Sequence, residues 1–216
     1  HCAAGGQMHQ EGFSLVELLV VILVTAIGLG LAVPAFTGMV ANGQMAAAVN
    51  DFVTALHAAR SEALTRRRTV VLCAAAGRAL DPATAGCTAG ATFADGWIVF
   101  TDGDGGVIGA DGAPNGDDRI LQVHGPLPSG LAGNVASAPG FDVAYVAFST
   151  VGSVIDILGP GTRVTDVQFC DRRGDVDTGR GVAAGRWVQV EAPGRPVIHR
   201  QRTDVQGANP LGGCGA

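Results

Sequence analysis

The first apolar segment of the chain is one long run with almost no polar interruption. From Phe13 to Val33 the polar side chains are Ser14, Glu17 and Thr25. A helix of about 20 apolar residues is long enough to cross the hydrocarbon core of a bilayer, and the apolar region of a cleaved secretory signal is shorter than this. The pattern therefore predicts a retained membrane-spanning helix over residues 13–33.

The pattern becomes amphipathic after Pro34. Apolar residues now recur at spacings of three and four, which is the periodicity of a helix with one buried face. We therefore predict that the helix continues over residues 34–68 and packs on a folded domain. The positions that define this face are Met45, Val49, Phe52, Val53, Leu56, Ala59 and Ala63.

The remainder, residues 69–216, changes to short β-rich runs separated by Gly, Pro and Asp. The clearest are "TVVLC", "GWIVFTD", "RILQVHG", "VAYVAFST", "RVTDVQFC", "GRWVQVEA" and "RPVIHRQ", and runs of this kind are typical of antiparallel strands joined by turns. A helix followed by a series of strands favours an α+β domain in which the helix packs against sheet.

Composition narrows the function classes. The 216-residue chain has 33 glycines and a formal net charge of -5, and all of its 14 basic residues are arginines. This balance argues against a protein whose whole surface binds a polyanion, although it leaves room for a local basic patch.

The cysteines favour an oxidising compartment. Cys2 precedes the apolar run and leaves an even number, four, in the globular part. Three pairings are possible. We favour Cys73 with Cys87, which bracket a Gly/Ala/Pro loop, and Cys170 with Cys214, which would hold a Gly-rich tail that otherwise frays.

Glu17 is the unusual residue of the apolar run. A carboxylate inside a membrane costs a few kcal/mol and needs a partner, yet the run contains no Lys or Arg. Two explanations remain open: an amine created by cleavage before Phe13, on this chain or a neighbour, or solvation of Glu17 among the lipid headgroups.

The sequence "GFSLVELLVVILV" resembles the leader junction of type IV pilins and type II secretion pseudopilins. The resemblance implies cleavage by a prepilin peptidase after Gly12, N-methylation of Phe13, and contact between Glu17 and the N-terminal amine of an adjacent subunit during assembly. Residues 1–12 would then be the leader, with Met8 as an alternative start. Pro34 matches the position of a helix-kinking proline.

The order "ARSEAL", "VVLC", "GWIVFTD", "FCDRRG" and "APGRP" resembles the GspH/FimT family of minor pilins and pseudopilins. This implies a type IV pilin-like fold and a structural, non-enzymatic subunit without a cofactor. Its domain would be periplasmic, anchored by one helix in the bacterial inner membrane, and would later enter a filament or tip. The implied partners are the lipid bilayer, other minor and major pilins, the prepilin peptidase and the inner-membrane assembly platform.

The same resemblance leaves two alternatives to a minor pilin of the pilus priming or tip complex. One is a minor pseudopilin H of a type II secretion system. The other is a DNA-binding minor pilin for natural transformation, since a "GRxR"-like basic motif carries DNA binding in some relatives. Here Gly194 and Arg195 match that motif, whereas Pro196 and Val197 depart from it.

A basic segment between Thr178 and Thr203 supplies candidate phosphate contacts. It has five arginines and a single acid, Glu191. The alternative is an edge strand whose charges prevent pairing with other strands. The candidate DNA-binding residues are Arg186, Arg195, Arg200 and Arg202.

An acidic loop contains a weak calcium candidate. Asp102 and Asp104 begin the segment "DGDGGVIGADGAPNGDD", and dense carboxylates can bind Ca²⁺. The EF-hand spacing is absent, and Asp-Gly turns explain the composition equally well. We therefore predict no metal site, and the absence of catalytic motifs predicts no enzyme.

Overall fold

The computed structural model describes residues 14–103, 112–135 and 142–214, without the side chains of residues 34, 35, 134 and 135. Gly12, Phe13 and Asp104 lie outside the described residues. The chain divides into two units, one ending at Asn42 and one beginning at Gly43.

One helix, α1, extends over Leu15–Arg66. One helix therefore joins the predicted segments 13–33 and 34–68 over residues 15–66. α1 is continuous through Pro34, and the bend expected there stays a prediction. The helix ends where Arg67 adopts a left-handed backbone (φ 53), a common way for the last turn to finish.

The described residues of the second unit form nine strands. Five of the strands form one antiparallel sheet, sheet A, and the other four form a second antiparallel sheet, sheet B. In spatial order, sheet A is β3-β2-β1-β5-β6 and sheet B is β4-β7-β8-β9. The strands are β1 Thr69–Ala74, β2 Trp97–Asp102, β3 Ile120–His124, β4 Ala132–Val135, β5 Tyr145–Phe148, β6 Val154–Ile155, β7 Asp166–Cys170, β8 Val182–Val190 and β9 Pro196–Gln201.

The α+β prediction is confirmed: a long N-terminal helix precedes antiparallel sheets. Two short strands, β4 and β6, are not among the predicted strands. β4 includes a glycine and β6 has two residues, so neither carries an alternation long enough to identify it from sequence.

The main core lies between α1 and the inner faces of both sheets. Phe52 is fully buried at its centre, with its ring centroid 4.8 Å from that of Phe93, 5.7 Å from Trp97 and 5.5 Å from Phe169. Aromatic pairs at such tilted or edge-on contacts add to the energy of burial. The amphipathic face predicted from sequence is this buried face, with Val53 partly exposed at its margin.

The outer face of sheet A has a cover of its own. Residues of the 3₁₀ turn Gly77–Leu80 and of the segment after β6 pack on Val71, Ile98 and Phe100. The Tyr145 hydroxyl bonds Thr162 and accepts from the backbone N–H of Ile157 at 3.1 Å. β1, β2 and β5 are consequently buried along their whole length.

The C-terminal tail lies at the outer side of sheet B. Val205, in the short π-helical turn Asp204–Ala208, is fully buried against Ala183 and Trp187. The indole Nε1 of Trp187 donates to Asp166 Oδ1 at 2.9 Å, and its ring stacks on His199. The tail is therefore part of the folded domain.

Candidate functional site

Among the described residues, none covers the N-terminal part of α1, residues 15–33. Leu15 is 75% exposed, Leu23 61% and Leu31 74%, and no residue of the most apolar 18-residue window is buried. Such exposure is unfavourable in water but is expected for a helix surrounded by lipid. α1 is the one helix among the described residues that is long and apolar enough to cross a membrane.

The polar side chains on this segment differ in whether they have hydrogen-bond partners. The Thr25 hydroxyl donates to the carbonyl oxygens of Val21 and Ile22, both at 2.9 Å, so the helix itself supplies its partners. Glu17 lies in the first turn of α1 and is exposed. Within the described part of the chain, no donor contacts its carboxylate, which leaves it available to a group from outside.

The two disulfides are the pairs that the sequence favours. Cys73 in β1 bonds Cys87, closing 14 residues that cover sheet A. Cys170 in β7 bonds Cys214, closing 44 residues and fixing the tail. The backbone N–H of Cys214 also donates to the buried carboxylate of Asp175 at 2.7 Å.

The basic residues of sheet B separate into one buried arginine and three exposed ones. Arg186 is 9% exposed, and its guanidinium donates to the carbonyl oxygens of Ala183, Ala184 and Gly185. Burial and, after it, the charges of Arg200 and Arg173 lower the pKa of Arg186. Its side chain therefore has a structural role, and we remove it from the candidate DNA contacts.

Arg195, Arg200 and Arg202 are all exposed along β9 and the residues that flank it. Arg195 contacts Glu191 at 3.4 Å, and Arg202 donates to the Gln206 side chain at 3.2 Å. β9 is an edge strand of sheet B. These three side chains can reach a ligand without disturbing the fold. The same exposure fits the alternative, an edge strand whose charges are solvated.

The acidic loop is organised by turn contacts where it is described. Asp102 is buried and accepts the backbone N–H of Gly112 at 2.8 Å. Asp118 accepts the backbone N–H groups of Gly103 and Asn115, both at 3.1 Å. Among the described residues no group of three His, Cys, Asp or Glu side chains could hold a metal, so we do not propose a calcium site.

Two comparisons of sequence decide the family. Residues 48–194 match the family described as type II transport protein GspH, and residues 7–33 match the prokaryotic N-terminal methylation motif. The chain belongs to the GspH family. The methylation motif spans the uncovered apolar part of α1 and the preceding residues, so this GspH-family chain combines a pilin-type N-terminus with the domain described above.

Structural comparison of the GspH-family chain returns the type IV minor pilin FimU of Pseudomonas aeruginosa strain PAO1. One crystal form is 19% identical, covers 73% of this chain and 89% of that chain, and has a TM-score of 0.46. A second is 20% identical, covers 71% and 90%, and has a TM-score of 0.42. No curated protein matches the sequence.

Proposed function

We propose that this chain is a minor pilin, a structural and assembly subunit in the priming or tip complex of a type IV pilus. The observation that carries the proposal is the uncovered apolar part of α1, with Glu17 as its one ionisable side chain. Such a surface requires either lipid or the apolar helices of other subunits around it. A subunit that moves from a bilayer into a filament meets both in turn.

The proposed processing gives Glu17 its partner. Cleavage after Gly12 makes Phe13 the first residue. The new N-terminal amine carries a positive charge, which a carboxylate can balance. A carboxylate that no donor of the described residues contacts is stabilised by the amine of an adjacent subunit. The inner membrane and periplasm are the corresponding locations, and the prepilin peptidase and assembly platform are the corresponding partners.

The first experiment measures sheared surface filaments in a deletion strain that is restored with wild type, Glu17→Ala or Glu17→Gln. We expect wild type to restore filaments and both variants to fail by at least about tenfold, because neither provides the negative charge. Leu18→Ala is the matched control on the same turn. Normal filament levels in the deletion strain would contradict the pilus assignment.

A minor pseudopilin of a type II secretion system is the second candidate, favoured by the description of the matched family. The same deletion strain separates the two candidates when secreted enzyme activity is measured beside filament yield. Loss of secretion with normal filaments identifies the pseudopilin. N-terminal mass spectrometry of the chain coexpressed with a prepilin peptidase tests what both share, and an uncleaved chain would contradict both.

DNA binding is a third candidate, supported by the exposure of Arg195, Arg200 and Arg202. Full-length protein in detergent should bind duplex DNA with an affinity that falls as salt rises, because phosphate contacts release counterions. Arg195→Ala with Arg200→Ala should weaken binding by about tenfold or more. The control pair, Arg78→Ala with Arg119→Ala, removes the same charge from exposed sites elsewhere. Equal losses in both pairs would show a non-specific charge effect.

A further inference from the structure

The C-terminal end of α1 contacts two turns that come from different sheets. One is the β5–β6 turn, residues 149–153, and the other is the β8–β9 hairpin, residues 191–195. Arg60 Nε donates to the Gly152 carbonyl oxygen at 3.0 Å. The backbone N–H of Val154 donates to the Ala192 carbonyl oxygen at 3.0 Å. The helix and both sheets are therefore fixed to each other at this end of the domain.

Two glycines make this close approach possible. Gly152 and Gly194 both have positive φ angles, 77° and 79°. A Cβ on Gly194 would lie 2.3 Å from the Gly152 carbonyl oxygen, a distance that no side chain permits. The two turns therefore meet backbone to backbone, and the residue at the tip of the β5–β6 turn, Val151, has a fixed position.

An apolar surface is exposed at this junction. Val151 is 75% exposed and Leu64 is 47% exposed. The Leu64 methyl groups lie 3.2 and 3.3 Å from where a Gly152 Cβ would be, next to Val151 in the chain, and the exposed Pro193 adjoins Gly194. We call Leu64, Val151 and Pro193 the Val151 patch. In the described domain after Val40, the other large hydrophobic side chain with comparable exposure is Val176.

Charged residues adjoin the Val151 patch: Arg60 bonds the Gly152 carbonyl oxygen, and on the hairpin Glu191 contacts Arg195 at 3.4 Å. The segment from Arg60 to Arg68 contains four arginines and one acid, Glu62, a formal charge of +3 in a chain whose net charge is -5. Arg195, on the hairpin, has a side chain that is 68% exposed. Apolar centres with a charged rim are typical of protein-binding surfaces, and arginine is enriched in them.

We propose that the Val151 patch binds a neighbouring subunit that presents an apolar side chain flanked by carboxylates. The inference rests on the proposed function, because it assumes an assembly with other subunits. Charge complementarity selects this occupant. Two copies of the patch face to face would repel each other, and the phosphate backbone of DNA offers no apolar group for Val151 and Leu64.

The test places a photoreactive benzophenone amino acid at position 151 of the full-length chain in cells that assemble the filament. The matched control is position 176, which is 54% exposed and lies in the loop before β8, whereas the hairpin follows β8. We expect at least about tenfold more crosslinked product from position 151. Mass spectrometry should identify a second protein with a pilin-type N-terminus, and the joined peptide should contain Asp or Glu near an apolar residue.

Substitutions test the same surface without a crosslinker. Val151→Asp and Leu64→Asp should each lower co-purification of that second subunit by at least about tenfold, and Arg195→Glu by a smaller factor that diminishes as salt rises. Val176→Asp should change nothing. Protease resistance of each variant shows that the domain is folded, and the two independent Asp variants guard against a folding defect in one.

Several results would overturn the inference. They are equal crosslinking from both positions, a product with lipid, with DNA or with a second copy of this chain, and no product at all. Failure of the proposed function is distinguishable from these. Normal filaments and secretion in the deletion strain with a subunit crosslink from position 151 would refute the function and retain the surface. Filaments that depend on Glu17 but give no crosslink from position 151 would support the proposed function and refute the binding surface.

Discussion

The two halves of α1 are both rich in apolar residues but have opposite surroundings. In the first half Leu23 and Leu31 are mostly exposed, whereas in the second Phe52 and Leu56 are fully buried. The difference follows from their pattern: the first half is apolar all round, and the second has one apolar face. Apolar content alone therefore does not decide whether a helix is covered by its own chain. The distribution of apolar side chains around the helix axis decides it.

The strongest test of this comparison removes one large side chain from each half. Phe52→Ala should destabilise the domain by about 3–5 kcal/mol, because it leaves a cavity among three aromatic rings. Leu23→Ala should leave the domain unchanged, because none of the described residues buries Leu23, which is 61% exposed. Chemical denaturation of full-length protein in micelles, followed by tryptophan fluorescence, measures both. A similar loss from Leu23→Ala would contradict the division.

The disulfides should affect only the packed half. In the loop-entropy estimate, Cys170–Cys214, which closes 44 residues, contributes about 4 kcal/mol, and Cys73–Cys87, which closes 14, about 3 kcal/mol. Replacing either pair by serine should lower the melting temperature of the domain, and the loss of Cys170–Cys214 should lower it more. Helicity of the apolar half in micelles, measured by circular dichroism of a peptide covering residues 13–40, provides the reference. The reverse order would mean that the tail contributes less than its loop length predicts.

Acid should lower the stability of the domain that packs on the second half of α1. Burial raises the pKa of Asp171, but the hydrogen bonds and charge of Arg173 lower it more, so the net pKa lies below its ordinary 3.8. A lowered pKa means that the unfolded state binds more protons, so the stabilisation is present above about pH 4 and is lost as the pH falls through the lower, folded-state pKa. Asp171→Asn should flatten the fall in domain stability below pH 4, as measured by denaturation at several pH values. An unchanged slope would exclude Asp171 as its source.

The smallest expected effect concerns the helix surface. Arg66 and Glu62 form an ion pair one turn apart, with side chains 37% and 39% exposed. Exposed pairs of this spacing contribute about 0.3–0.5 kcal/mol, so Arg66→Ala should shift the domain midpoint barely above error. A shift of more than about 1 kcal/mol would show that this end of α1 has stronger contacts with the domain.

Local patterns determined much of the fold. The apolar run, the three-and-four spacing of the second half and the longer strands such as β1 and β2 were all readable, because each depends on neighbouring residues in the chain. The two cysteine pairs were readable from the loops that they enclose. The candidate roles of Glu17, Gly12 and Phe13 came from a short continuous motif, and they remain predictions.

Tertiary structure decided what depends on contacts between distant residues. Arg186 and Arg195 look alike in a basic segment, yet only the sheet buries the first against backbone carbonyl oxygens and leaves the second exposed. Pairing brought the short strands β4 and β6 into the sheets. The Val151 patch exists because Arg60, Gly152 and Gly194, far apart in the sequence, meet at one point. Sequence periodicity specifies which face of an element is apolar, but it does not specify which element will cover that face.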